Sequence, residues 1–162
     1  MSDFRKLLQA LADAEVEFIL VGGVAATVHG AARLTQDVDV VYARNDTNLK
    51  RLEEALSALS PYPRGAPAGL PFHWDSRTIS AGLNFILTTK AGDIDLLGEI
   101  IGGGTYEALV DHTVGIVLFG DRYKVLSLAK LIEVKRAAGR PKDFEAIAEL
   151  MVLLDNASDK DQ

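Results

Sequence analysis

Apolar positions recur along the chain at a helical period in some stretches and alternate in others. Phe4, Leu7, Leu8 and Leu11 fall at i, i+3, i+4 and i+7 behind Ser2 and Asp3, either of which can cap. They predict an amphipathic helix over about 3–14. Residues 17–21 form a short apolar run, Glu17-Phe18-Ile19-Leu20-Val21, stopped by Gly22-Gly23, and predict a buried strand. The small residues of 24–29 predict a short helix ended by Gly30. Asp37-Val38-Asp39-Val40-Val41-Tyr42 alternates and is rich in strand formers, so both Asp side chains share one face. Leu49, Leu52, Leu56 and Leu59 behind Asn45-Asp46-Thr47 predict a second amphipathic helix at about 47–59.

Pro61, Pro63, Pro67 and Pro71 then mark residues 61–71 as a loop, long enough to be a lid or an inserted connector. Segments 84–89 and 94–100, joined by Lys90-Ala91-Gly92-Asp93, predict a hairpin that Gly102-Gly103-Gly104 closes. A short helix around 106–110 leads to strands at 114–119 and 123–126. Ser127 caps a helix ending at Gly139, and Pro141 opens a last helix carrying Phe144, Ile147, Leu150, Met151 and Leu154. Residues 157–162 are expected to fray. This order predicts an α+β fold, a mixed β-sheet with helices largely on one face and a C-terminal helical pair. The chain of 162 residues is expected to form a single domain over 1–162, with the sheet core at about 1–126 and the C-terminal helices at about 127–156.

Composition narrows the function classes. With 48% hydrophobic and 25% charged residues and no Cys, the chain reads as a globular domain held by packing, without thiolate metal sites or thiol catalysis. Lys and Arg number 17 against 23 Asp and Glu, a net charge of −6, which does not suit non-specific attraction to nucleic acid or an anionic membrane. No window approaches the ~20 apolar residues of a membrane span, and charges interrupt the first twenty or so positions where a signal peptide would be apolar. The expected compartment is the cytoplasm.

Asp37 and Asp39 lie on one strand face, and Asp95 sits in Ile94-Asp95-Leu96 on a strand expected to neighbour it. Each Asp can be a solvent-facing residue; together, like charges on one sheet face suggest a bound cation. Oxygen donors without His or Cys suit Mg²⁺ or Mn²⁺ over Zn²⁺. Gly22-Gly23 stands between a strand and a helix start, which is either a tight turn or a place where free backbone N–H groups meet phosphate. Lys135 falls on the same stripe as Leu128, Leu131 and Ile132, so its ammonium either snorkels from the edge or finds an anion there. Arg33 and Thr35, just before the acids, either contact phosphate or orient Asp37, or are surface-loop residues. His29, His73 and His112 are scattered and form no triad. Phe72-His73-Trp74 either stacks on a base or packs on its own domain.

Taken in order, Gly22-Gly23, Asp37-Val38-Asp39 and Ile94-Asp95-Leu96 resemble the signature of the DNA polymerase β-like nucleotidyltransferase superfamily. Gly22-Gly23-Val24-Ala25 followed by Arg33-Leu34-Thr35-Gln36-Asp37, and the late segment from Leu131 to Asp143, are similar to small bacterial abortive-infection and toxin-type nucleotidyltransferases. Many members carry Ser where Gly23 stands, and toxin-type relatives usually have a larger C-terminal region. The resemblance implies a nucleotidyltransferase fold and transfer of a nucleoside monophosphate from a nucleoside triphosphate to an acceptor hydroxyl. It implies that Asp37, Asp39 and Asp95 hold two Mg²⁺ (or Mn²⁺) ions, with Lys135 among the catalytic residues. It further implies that Gly22, Gly23, Arg33, Thr35, Lys135 and Arg140 bind the nucleotide. The acceptor is RNA, protein or a small molecule. An antitoxin partner is compatible with the resemblance, exposed sheet edges and the glycine-rich turn at 102–104 are compatible with a homodimer without arguing for one, and a membrane partner is not expected. The competing reading is a catalytically silent nucleotide-binding or toxin-antitoxin regulatory module on the same fold.

Overall fold

A computed structural model of the protein describes residues 3–32 and 37–160. Helix α1 (Phe4–Asp13) opens behind Asp3, whose carboxylate accepts from the Lys6 amide at 3.1 Å and so satisfies one of the donors a helix start leaves orphaned. Strand β1 (Phe18–Val21) is buried throughout, and helix α2 (Gly22–Val28) follows with no loop between them. The helix therefore begins at the first glycine, two residues earlier than the sequence pattern suggests. Strand β2 (Asp37–Tyr42) and helix α3 (Asp46–Ser57), capped by Asn45, fall close to their predicted places. Strands β3 (Tyr62–Pro63), β4 (Asn84–Thr89) and β5 (Gly92–Leu97) come next, with helix α4 (Ser76–Ala81) between β3 and β4. Strands β6 (Glu99–Ile100) and β7 (Gly104–Thr105), helix α5 (Tyr106–Leu109), strands β8 (Thr113–Leu118) and β9 (Asp121–Leu126), and helices α6 (Leu128–Ala138) and α7 (Asp143–Lys160) complete the chain.

Seven strands form one mixed sheet in the order β3-β4-β5-β2-β1-β9-β8. The β2–β5 and β1–β9 pairs are parallel and the rest antiparallel. Side chains alternate across a strand. Val38, Val40, Ile94 and Leu96 consequently point to one face and are fully buried, in a core shared with Leu7, Leu8 and Leu11 of α1 and Leu52 and Leu56 of α3. Burying each such leucine contributes about 1.5–3 kcal/mol. Asn48 fastens α3 to the strand ends: its amide donates to the carbonyls of Ala43 (2.6 Å) and Glu17 (3.0 Å) and accepts from the Glu17 N–H (2.7 Å). The opposite face of β2 and β5 carries the carboxylates.

Four features depart from the sequence pattern. The proline-rich loop contains β3, whose Pro63 is tolerated because β3 is an edge strand and owes no further ladder bond. Helix α4, capped by Asp75, carries a single buried residue, Ile79, too little to leave a periodic signal. The hairpin strand expected to run to residue 100 stops at Gly98, where a Cβ would meet the Leu83 side chain at 2.5 Å, and β6 turns away to pair with β7. Helix α7 continues to Lys160, into the stretch expected to fray, because nothing from Ala157 to Lys160 breaks a helix. Helix α6 keeps its predicted ends, with the Ser127 hydroxyl accepting from the Lys130 amide and Gly139 in the left-handed region at φ 63°.

Candidate functional site

The parallel register of β2 and β5 builds the site. Asp37 lies opposite Asp93 and Asp39 opposite Asp95, which puts all four side chains on one face. One carboxylate oxygen from each of Asp37, Asp39 and Asp95 lies within 4.8 Å of the others. Strand β1 supplies the floor. Val21 pairs with Asp39, and the chain turns at Gly22 with φ 67°, so that a Cβ on Gly22 would fall 2.1 Å from Asp39 Oδ2. Only glycine leaves room for that carboxylate.

Crowding these acids changes their protonation. The Asp39 carboxyl is pushed up to about 8, first by burial and then by the charges of Asp37 and Asp95. Its Oδ1 is buried and has no hydrogen-bond partner. The Asp95 carboxyl is also raised by burial, against the opposing pull of Arg64. Three clustered carboxylates with a buried, unsatisfied oxygen among them match the hard oxygen donors that a divalent cation such as Mg²⁺ takes. The residues therefore fit a metal.

Two members of this face escaped the sequence reading. Asp93 was assigned to the hairpin turn, although Asp93-Ile94-Asp95 repeats the alternation of Asp37-Val38-Asp39. Arg64, between Pro63 and Gly65, carried no signal, since only the fold brings it over the sheet. Its Nη2 donates to Asp95 Oδ1 at 2.8 Å, its Nε lies 3.3 Å from Asp93 Oδ2 without hydrogen-bond alignment, and its Nη1 is 3.9 Å from Asp37 Oδ2.

Gly23 follows Gly22 at the start of α2, where its carbonyl accepts from the Thr27 hydroxyl at 2.9 Å. Lys135 and Arg140 converge on a different acid. Asp143, buried at the start of α7, receives Arg140 Nε at 2.8 Å and has Lys135 Nζ at 3.9 Å. The ionic partner found for Lys135 is thus Asp143 and not the β2–β5 cluster. Arg33 and Thr35 lie outside the described residues; just before them, the Ala32 N–H donates to Glu149 of α7 at 2.8 Å. His29 hydrogen-bonds the Leu126 carbonyl through Nε2 at 2.8 Å. Phe72 and Trp74 pack on their own domain, with ring centroids 6.5 Å apart and Trp74 edge-on to Phe85.

Residues 6–70 match the family model described as nucleotidyl transferase AbiEii toxin, type IV TA system. That similarity covers 65 of the 162 residues. The matched segment takes in Gly22, Gly23, Asp37, Asp39 and Arg64 and ends before Asp95. The chain also resembles a solved structure from Thermotoga maritima described as a "putative nucleotidyltransferase", with a TM-score of 0.57 and 15% identity. That likeness covers 91% of this chain and 89% of the other, so the fold is shared over nearly the whole length of both. No curated protein sequence matches the chain.

Proposed function

We propose that this chain is a metal-dependent nucleotidyltransferase that moves a nucleoside monophosphate from a nucleoside triphosphate to an acceptor hydroxyl. The observation that carries the reading is the facing of Asp39 and Asp95 across parallel strands, with Asp37 beside them and the Gly22 backbone directly beneath Asp39. Asp37, Asp39 and Asp95 would hold two Mg²⁺ or Mn²⁺ ions. When bound, such ions polarise the reacting phosphate and acidify the acceptor hydroxyl.

The chain's own groups do the rest. Burial, and then the charges of Asp37 and Asp95, push the Asp39 carboxyl up to about 8, so holding a metal would require it to release its proton. Asp95 would be the acid nearest the attacking hydroxyl. Gly22 and Gly23 leave space for the triphosphate to approach the backbone, and Arg33, Thr35, Lys135 and Arg140 supply donors and positive charge to it. The acceptor oxygen forms a bond to the α-phosphorus, and the bond from that phosphorus to the pyrophosphate oxygen breaks with its electron pair leaving on pyrophosphate. The acceptor is RNA, protein or a small molecule. The toxin-antitoxin description of the matching family supports an antitoxin as protein partner. Among the described residues no helix is long and apolar enough to cross a membrane.

The test is incorporation of label from each of four α-labelled nucleoside triphosphates into cellular RNA, protein and small-molecule fractions with Mg²⁺ or Mn²⁺. Label in one fraction, absent with Asp37→Ala/Asp39→Ala, is the expected result. Nucleotide binding without transfer to any fraction would replace this reading with the silent nucleotide-binding module.

A further inference from the structure

Arg64 is held in place from both ends. Its backbone N–H donates to the Ile86 carbonyl at 2.9 Å, and its Nη2 donates to the Leu87 carbonyl at 2.8 Å as well as to Asp95. From this anchorage on β4 the guanidinium spans β5 to β2, touching Asp93, Asp95 and Asp37 while leaving out Asp39. One cation thus contacts three of the four carboxylates on this face. Nucleotidyl transfer by a metal-loaded carboxylate cluster does not call for a cation here. A metal-free cluster does, because like charges side by side on a sheet face repel. An arginine also cannot leave by losing its proton, so a metal has to compete with it as a charge.

We propose that Arg64 is the internal counter-cation of the metal-free site, clamping Asp37, Asp93 and Asp95 until a divalent ion takes over Asp37 and Asp95. The inference rests on the metal-site reading above. Removing the guanidinium charge then has an outcome opposite to that of removing a helper: metal binding tightens, while the metal-free protein loses the contact that holds its acids together. Glutamine keeps a donor without the charge, and lysine keeps the charge.

The experiment is calorimetric titration of the full chain with Mn²⁺ alone, for wild type, Arg64→Gln, Arg64→Lys and Asp39→Asn, paired with melting curves in chelator and in Mn²⁺. Arg64→Gln is expected to bind Mn²⁺ roughly tenfold tighter, the equivalent of losing one charge-assisted hydrogen bond to a ligand. Its melting temperature is expected to fall in chelator and to rise more than wild type on adding Mn²⁺. Arg64→Lys is expected to stay close to wild type in both. Unchanged or weaker Mn²⁺ affinity in Arg64→Gln, with wild type binding normally, would overturn the inference and make Arg64 an orienting partner of Asp95. Should Asp39→Asn bind Mn²⁺ as wild type does, or wild type not bind it, the metal-site reading itself fails and takes this inference with it.

Discussion

The Asp39 carboxylate rests on the backbone of Gly22, so closely that a methyl group there would lie 2.1 Å from Oδ2. Gly22 also has φ 67°, a conformation that costs a non-glycine residue about 1–3 kcal/mol in strain. Gly22→Ala is therefore expected to displace Asp39 and abolish the metal-induced rise in melting temperature. Combining it with Asp39→Ala, which removes the clashing atoms, should cost less than the sum of the two single changes. A double-mutant cycle read by chemical denaturation checks this, and simple additivity would mean the two residues do not touch.

Asp39 also predicts a pH dependence. Its folded pKa of about 8 stands above the ordinary 3.8, so the native state binds a proton that the unfolded chain releases. The stabilisation from this group is complete below the ordinary value and is lost as pH rises towards about 8. Metal binding has the opposite slope, because the ligand is the ionised form. In chelator the melting temperature is expected to fall between about pH 6 and about pH 8.5, and the increment added by Mg²⁺ is expected to grow over the same interval. Melting curves at both pH values, with Asp39→Asn as the comparison, separate this group from the others.

At Asn48, three hydrogen bonds hold α3 to the ends of β1 and β2 inside the core. Asn48→Ala removes the donor to the buried Ala43 carbonyl, at a cost of about 1–3 kcal/mol, and the acceptor of the Glu17 N–H, while the Glu17 carbonyl keeps the Ala43 N–H. The loss should be the same with and without Mg²⁺, since the site lies on the other side of the strands. Urea denaturation in both conditions measures it.

The second ionic cluster behaves differently. Asp143 is buried, and its partners are Lys135 of α6 and Arg140 of the link between α6 and α7. Asp143→Ala strands Lys135, whose side chain is 16% exposed, and is expected to cost about 1–3 kcal/mol, less than a fully buried pair because Arg140 is half in solvent. Lys135→Met should weaken triphosphate binding while leaving Mn²⁺ affinity intact; a loss of both would place Lys135 at the carboxylates.

The strand that carries Asp37 and Asp39 was legible to the residue, because its alternation and its composition point the same way. The helices α1, α3 and α6 were legible for a similar reason, as each has an apolar stripe behind a capping side chain. The pairing of β2 with β5 was only an expectation, since no local pattern states which strands become neighbours. Asp93 was overlooked because it borders a turn that Lys90-Ala91-Gly92 makes obvious. Arg64 was invisible, for its role depends on an edge strand only two residues long. For Lys135, periodicity shows which face the charge occupies and not what stands opposite, which here is Asp143.

The most direct measurement supplies the protein with the same nucleoside triphosphate labelled at the α- or the γ-phosphate, together with Mg²⁺ and a cell extract as the source of acceptor. α-Label is expected to join the acceptor while γ-label leaves as pyrophosphate, and Asp39→Asn is expected to abolish both. Transfer of the γ-label to the acceptor, or α-transfer undiminished in Asp39→Asn, would contradict nucleotidyl transfer at this site.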